Sequence, residues 1–259
     1  VPTTGETRFT ALASGEVDLL VRNSTWTFSR DSELAFDFVA VNYYDGQGFM
    51  VKKELGVSSA KELDGATVCI QTGTTTELNL ADFFKQNNIT YTPVTVADDA
   101  EAQRNYLAGT CDAFTTDASG LAAARSSFPD PENHIILPEI ISKEPLGPVV
   151  RHGDNQWGDI VRWTYFALLI AEEKGITKAN IEEVAASSTD PEVRRLLGLE
   201  AQRFRIEFVM RAAELAIRRQ NTFRRGHVAQ ILGRIDRQRR THLFCRTGAA
   251  KAHRLSIID

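Results

Sequence analysis

Residues 66–84, ATVCIQTGTTTELNLADFF, decide the fold. Ala66–Gln71 is an almost wholly apolar run of strand length, the pattern of a strand buried on both faces of a parallel sheet. It opens into Thr72-Gly73-Thr74-Thr75-Thr76-Glu77, after which Leu78, Leu80, Ala81 and Phe84 trace a helix. A strand, a Gly/Thr turn and a helix in that order direct free N–H groups and the positive end of the helix dipole at one point, a place for an anion. Thr74–Thr76 read equally well as a plain capping run.

The same alternation continues downstream. Tyr91–Val96 reads as a strand, Ala97–Leu107 as a helix closed by Gly109, and Asp112–Thr116 as a strand ending at Asp117. Ser119–Ala124 starts a helix and His134–Leu137 forms a further strand. Upstream, Gly48–Val51 is a strand after an Asp45-Gly46 turn, and Ser58 and Ser59 cap a short helix leading to Leu63. This rhythm between residues 50 and 140 predicts a parallel α/β domain. Pro145–Val150 is an extended return segment. Asp154 or Asn155 caps a long helix through Trp157, Ile160, Val161, Thr164, Ala167 and Leu168, and Ile181–Ala186 and Pro191–Leu197 are shorter helices.

A second stretch, Gly15–Arg30 (GEVDLLVRNSTWTFSR), carries the chemistry. Thr7–Ser14 before it reads as a helix with Phe9, Leu12 and Ala13 on one face. Val17, Leu19, Leu20 and Val21 form a short strand with Asp18 at its entry. The strand runs out into Asn23, Ser24, Thr25 and Thr27, and Arg30 follows. Hydroxyls, an amide and one arginine at a strand end suit a small anion, because the guanidinium fork meets a carboxylate through two charge-assisted bonds. A strand-to-loop junction with a surface arginine is the plainer alternative. Leu34, Phe36 and Phe38 alternate in Glu33–Ala40 as a half-buried extended segment.

The 259 residues suffice for one large or two modest domains. No run of about 18 apolar residues occurs, so no membrane-spanning helix is expected. The chain opens at Val1-Pro2-Thr3 without Met and without a leader pattern, which suggests a fragment, a processed chain or an unusual start. Cys69, Cys111 and Cys245 are too few and scattered for a metal cluster or a disulfide scaffold. The net charge of −4 conceals an asymmetry: thirteen Arg and one Lys against four acids after position 200 give +10, and the first 200 residues carry −14. A composition break lies near Glu200.

The ordered motifs GEVDLLVRNSTWTFSR, QTGTTTE and AGTCDAFTTD resemble those of type II periplasmic solute-binding proteins, specifically the polar amino-acid-binding proteins of ATP-binding-cassette (ABC) importers. TTGETRFTALASGEVDLL and VNYYDGQGFMVKK look like the general L-amino-acid and glutamate/glutamine/aspartate/asparagine branch. The resemblance covers roughly residues 1–200 and implies an α/β, two-lobed clamp. Residues 1–41 and 153–200 would form a first, incomplete lobe, 49–143 the second, with hinge crossings at 42–48 and 144–152. It implies a ligand cleft at the carboxyl ends of the strands, a periplasmic location, a membrane permease as partner, a monomer, and neither cofactor nor metal.

The resemblance also assigns roles. Arg30 would clamp the ligand α-carboxylate, Thr25 would stand beside it, and the Asn23 carbonyl would meet the α-ammonium. Thr75 would give its N–H and hydroxyl to the same carboxylate, and Asp117 would pair with the ammonium. Asp117 as a simple N-cap of the next helix is the competing reading. Arg22 is expected at the solvated surface. Trp26, Tyr43 and Tyr44 suit cleft lining or packing alike. Cys69 and Cys111 fall on two strands of one lobe; buried free thiols are the first expectation and a disulfide in an oxidising compartment the alternative.

Two departures stand out. The family's opening strand, helix and strand, which carry an aromatic residue over the ligand, do not precede TTGETRF. Residues 201–259 form an Arg-rich tail, helical or disordered, in place of the family's Gly-rich turn and long amphipathic helix. Its arginine bias is that of an out-of-frame reading of a GC-rich gene, so a truncated, frameshifted and inactive relative is one alternative. Nucleic-acid binding through the tail is another, disfavoured because Phe204, Phe208, Phe223 and Phe244 are its only aromatics. Some proteins of this fold are dehydratases. No Ser/His/Asp set, metal spacing or phosphate loop is present, and His134 and His152 stand alone, so binding rather than catalysis is expected.

Overall fold

The computed structural model describes residues 1–199, and the expectations for 201–259 lie outside them. The described chain divides into two compact units. The second comprises Thr3–Thr10 and Asn42–Leu146, and the first comprises Val1–Pro2, Ala11–Val41 and the residues from Gly147 on.

Alternation along three strands organises the second unit. In β3 (Gln47–Lys52), Phe49 and Val51 face one side and Met50 the other. In β4 (Ala66–Gln71), Val68 and Ile70 oppose Cys69, and in β6 (Ala113–Asp117), Ala113 opposes Phe114. One face is covered by α2 (Thr75–Gln86) through Leu80 and Phe84. The other is covered by α3 (Asp99–Leu107) through Ala102 and Tyr106, and by α4 (Ala118–Ser127) through Leu121 and Ala124. Burial on both sides explains the near-continuous apolar runs. With β5 (Tyr91–Val96) and β7 (His134–Ile136) the strand order is β5-β4-β6-β3-β7.

The sheet is mixed rather than parallel. β4 runs parallel to β5 and β6, whereas β3 is antiparallel to β6 and β7. β2 (Tyr43–Asp45), which belongs to a separate two-stranded sheet, leads into β3 through Gly46 alone. An added Cβ on Gly46 would lie 2.8 Å from the Ser142 carbonyl oxygen and closer still to Ile140. β2 pairs with β8 (Glu144–Leu146), and Asn42 N–H donates to the Leu146 carbonyl at 2.8 Å.

The α3/α4 face contains the Cys69–Cys111 disulfide, with the Cα atoms 5.6 Å apart. The expectation of two free thiols is thereby corrected. Nearby, the buried Tyr106 hydroxyl and His134 Nδ1 lie 2.8 Å apart. Burial pushes the Tyr106 hydroxyl far above its ordinary pKa, with Glu54 acting in the same direction. Burial also lowers the His134 pKa, aided by Lys52 and Arg125 and opposed by Asp130. A histidine harder to protonate folded than unfolded stabilises the fold above its unfolded pKa, and that contribution is lost as pH falls below it. His134→Gln is therefore expected to show a smaller drop in melting temperature between pH 7 and pH 5 than the parent chain. Equal drops in paired thermal melts would remove His134 from the account.

The first unit is built on α5 (Asn155–Glu173), whose start is capped by the Asp154 side chain accepting from Trp157 N–H at 2.9 Å. Trp157, Ile160, Val161, Thr164, Ala167, Leu168 and Ala171 form its buried stripe. They pack with Leu19, Val21, Val39 and Val150, and with residues of α6 (Ile181–Ser187) and α7 (Pro191–Leu196). β1 (Phe36–Phe38) pairs antiparallel with β9 (Val149–Arg151). The expected Val17–Val21 strand is reduced to bridges at Leu19 and Leu20, the latter to Val149 through two backbone bonds of 3.0 and 2.9 Å. Isolated bridges do not extend into a strand, although Val17, Leu19 and Leu20 are completely buried. In α1 (Thr7–Ala13) the buried positions are Arg8, Ala11 and Leu12; Phe9 is half-buried and Ala13 exposed. Leu34 is likewise exposed, because Ser29–Glu33 forms a short wide helical turn that delays the extended segment to Phe36.

Candidate functional site

Arg30 sits inside that wide turn and is buried. Its Nη1 donates to the Thr25 carbonyl at 2.8 Å, and its backbone N–H donates to the Thr27 hydroxyl at 3.3 Å. The turn thus folds the polar run 23–30 back on itself and orients the guanidinium. Thr25 is buried beside it, while Asn23 is exposed, with its Oδ1 3.4 Å from Arg22 Nε. Arg22 is half-buried rather than solvated. Trp26 stacks on Phe38 at 5.6 Å between ring centroids and donates from Nε1 to Asp31 at 2.6 Å. Packing therefore accounts for one face of this indole. Tyr44 is exposed.

In the second unit, Thr75 and Asp117 come to one edge of the sheet. β4 and β6 are parallel, so the Thr72–Thr74 turn and the start of α4 leave from the same carboxyl ends. Gly73, at φ +70°, makes the turn possible, and a Cβ there would lie 3.0 Å from Glu6 Cα. Thr74, not Thr75, caps α2 by accepting from Glu77 N–H at 3.3 Å. The Thr75 hydroxyl donates to Glu144 at 3.1 Å. Its proton is thus used within the protein, and the helix-end N–H is the part of Thr75 suited to an anion. Asp117 is buried, and its side chain makes no capping bond to α4. It stands at the N-cap position of α4 by its backbone alone.

Residues that the sequence reading passed over hold this edge together. Gln47, fully buried, donates from Nε2 to the Thr76 carbonyl at 3.0 Å and to Thr115 Oγ1 at 2.9 Å. It is also the strand partner of Asp117. Gln47 therefore spans from the first turn of α2 to β6. Glu144 accepts from Thr75, from Asn79 Nδ2 at 2.8 Å and from Ser142 Oγ at 2.5 Å. A lone Gln beside a Gly turn and a lone Glu before PLGPVV give no periodic signal; only buried polar residues in strands that otherwise read apolar hint at them. Among the described residues no three His, Cys, Asp or Glu side chains stand together as a metal site. No helix among them is long and apolar enough to cross a membrane.

A mixed α/β sheet with Thr75 and Asp117 at its carboxyl edge in one unit, and a buried arginine in the other, has a clear counterpart among solved structures. A periplasmic binding protein of an ABC transporter from Brucella ovis, with glutathione bound, matches at a TM-score of 0.74 and 49% identity, over 89% of this chain and 68% of that one. The chain belongs to the type II periplasmic solute-binding proteins of ABC transporters.

Its fold is the mixed α/β fold of that two-lobed family. It is 78% identical over 200 residues to the glutamate/glutamine/aspartate/asparagine-binding protein BztA of Rhodobacter capsulatus, covering 77% of this chain and 59% of that protein. It is 59% identical over 199 residues to the general L-amino acid-binding periplasmic protein AapJ of Rhizobium johnstonii, covering 77% and 58%. The chain thus spans under two thirds of the length of these curated relatives. No protein-family profile matches it. These relatives are solute-binding proteins, not enzymes.

Proposed function

We propose that this chain is the ligand-binding part of a solute-binding protein that captures a polar L-amino acid, of the Glu, Gln, Asp or Asn kind, for uptake through a membrane permease, without altering it chemically. Arg30 carries the reading: a buried guanidinium, oriented by the Thr25 carbonyl, is suited to a carboxylate. In this proposal Asp117 supplies the opposite charge for the α-ammonium. The α2 N-terminus at Thr75 and the polar atoms of Asn23 and Thr25 complete the ligand set. The names of the relatives support amino acids as ligands. A periplasmic location is supported by AapJ's name and by the Cys69–Cys111 bridge, since disulfides persist in oxidising compartments.

The test is a thermal melt with each standard amino acid. A ligand at 100 times its Kd stabilises by about 2.7 kcal/mol, which raises the midpoint by several degrees. No shift with any of them would overturn the proposal. The glutathione of the Brucella ovis structure favours a second arm. Glutathione carries a free α-amino and α-carboxylate group on its γ-glutamyl residue, the same head that Arg30 and Asp117 would hold. A shift with glutathione and with no free amino acid would move the reading to γ-glutamyl peptides.

A further inference from the structure

Asp45 and Glu144 are directly opposite each other on the antiparallel pair β2 and β8. Facing residues of such a pair stand about 5 Å apart, and like charges there repel. Two carboxylates in this arrangement are unfavourable unless each is compensated. Both are, and by the same device. Glu144, 2% exposed, accepts from Thr75 and Asn79 in the first turns of α2, and from Ser142. Asp45 accepts from the backbone N–H of Gly46 at 3.0 Å, from that of Ser119 at 3.3 Å, and from the Ser119 hydroxyl, in the first turn of α4. Each carboxylate therefore lies at the positive end of one helix. These are the two helices that begin at Thr75 and directly after Asp117.

We propose that Glu144 and Asp45 are positioning residues for ligand capture: Glu144 fixes the start of α2 through Thr75 and Asn79, and Asp45 fixes the start of α4, next to Asp117, through Ser119. The pair sits on the strands where the chain enters and leaves the second unit, just after Val41 and just before Gly147. Both ligand-bearing helix ends are thereby tied to those crossings. Glu144→Gln keeps the volume but supplies an amide N–H where only an acceptor fits three donors. The first turn of α2 then loses its anchor while the apolar core of the unit is untouched.

This inference rests on the amino-acid-binding reading, and the experiment separates the two. Affinity of the full chain for L-glutamine and L-glutamate is measured by calorimetry for the parent, Glu144→Gln, Thr75→Val and the double variant. Hydrogen exchange of amides 75–79 is followed without ligand. Glu144→Gln is expected to weaken binding roughly tenfold, with the double variant no weaker than Glu144→Gln alone, because the two changes break one linkage. Exchange at 75–79 is expected to quicken several-fold while β4 amides stay protected. Multiplying effects in the double variant, or unchanged exchange at 75–79, would overturn the positioning role. Absence of binding by the parent with quickened exchange in the variant would defeat the ligand reading but leave the anchoring intact. If Glu144→Gln does not fold, Thr75→Val alone, which leaves Glu144 two donors, gives the same exchange reading. The parallel pair Asp45→Asn and Ser119→Ala tests the α4 half in the same way.

Discussion

Arg30→Met is expected to lower amino-acid affinity by at least about 100-fold, the largest single-residue effect on binding foreseen for this chain. Removing one partner of a buried, hydrogen-bonded charge pair costs roughly 2–5 kcal/mol, and each 1.4 kcal/mol is about tenfold in Kd. Methionine retains much of the buried volume, so the unliganded melting temperature serves as the control for folding. Arg30→Lys separates charge from shape. Lysine keeps the cation but lacks the planar fork that donates to the Thr25 carbonyl while meeting a carboxylate. Calorimetric titration should place it between the parent and Arg30→Met. Parent-like binding by Arg30→Met would end Arg30's assignment as the carboxylate clamp.

Loss of the Cys69–Cys111 bridge is expected to have the largest effect on stability. The bridge closes a loop with a sequence separation of 42 residues. Chain-entropy reasoning assigns such a loop about 4 kcal/mol, which for a chain of this size corresponds to a fall of roughly 10 °C in melting temperature. The Cys69→Ala, Cys111→Ala pair is preferred to chemical reduction, because alanine leaves no buried thiols to re-form the bond. The pair lies within the cluster of Met50, Tyr106 and Phe114, so small cavities will add to the entropic loss. A melt within about 2 °C of the parent would mean that the crosslink constrains little of the unfolded chain.

Local pattern made much of the second unit legible. ATVCIQ announced β4 because a strand covered by helices on both faces needs no polar side chain, and Thr74 to Phe84 announced α2 by cap and period. Within α2, Leu78 is the exception: it fits the apolar run yet is 68% exposed, because the buried stripe runs through Thr76, Leu80 and Phe84. The antiparallel setting of β3 was not legible, since direction depends on what a strand is connected to rather than on its composition. Nor was the reduction of Val17–Val21 to isolated bridges, because pairing depends on distant partners. Of the candidate ligand groups, Arg30 carried a chemical signal of its own, whereas Asp117 owed its role to the family resemblance. The polar residues that hold the site, Gln47, Asp45 and Glu144, act on helix starts 29 to 74 positions away, and no local rule links them.

The second unit's main segment is an insertion with adjoining ends: Asn42 and Leu146 are joined by a backbone hydrogen bond, and between them lie all five strands of the sheet and both cysteines of the disulfide. The first unit is discontinuous, because β9 and α5 follow the insertion in the chain. During synthesis the inserted sheet can therefore close as soon as residue 146 is available, whereas β1 must wait for β9. The sheet of the second unit thus holds all its strand partners within one unbroken segment, whereas the β1–β9 pairing reaches across the whole of it.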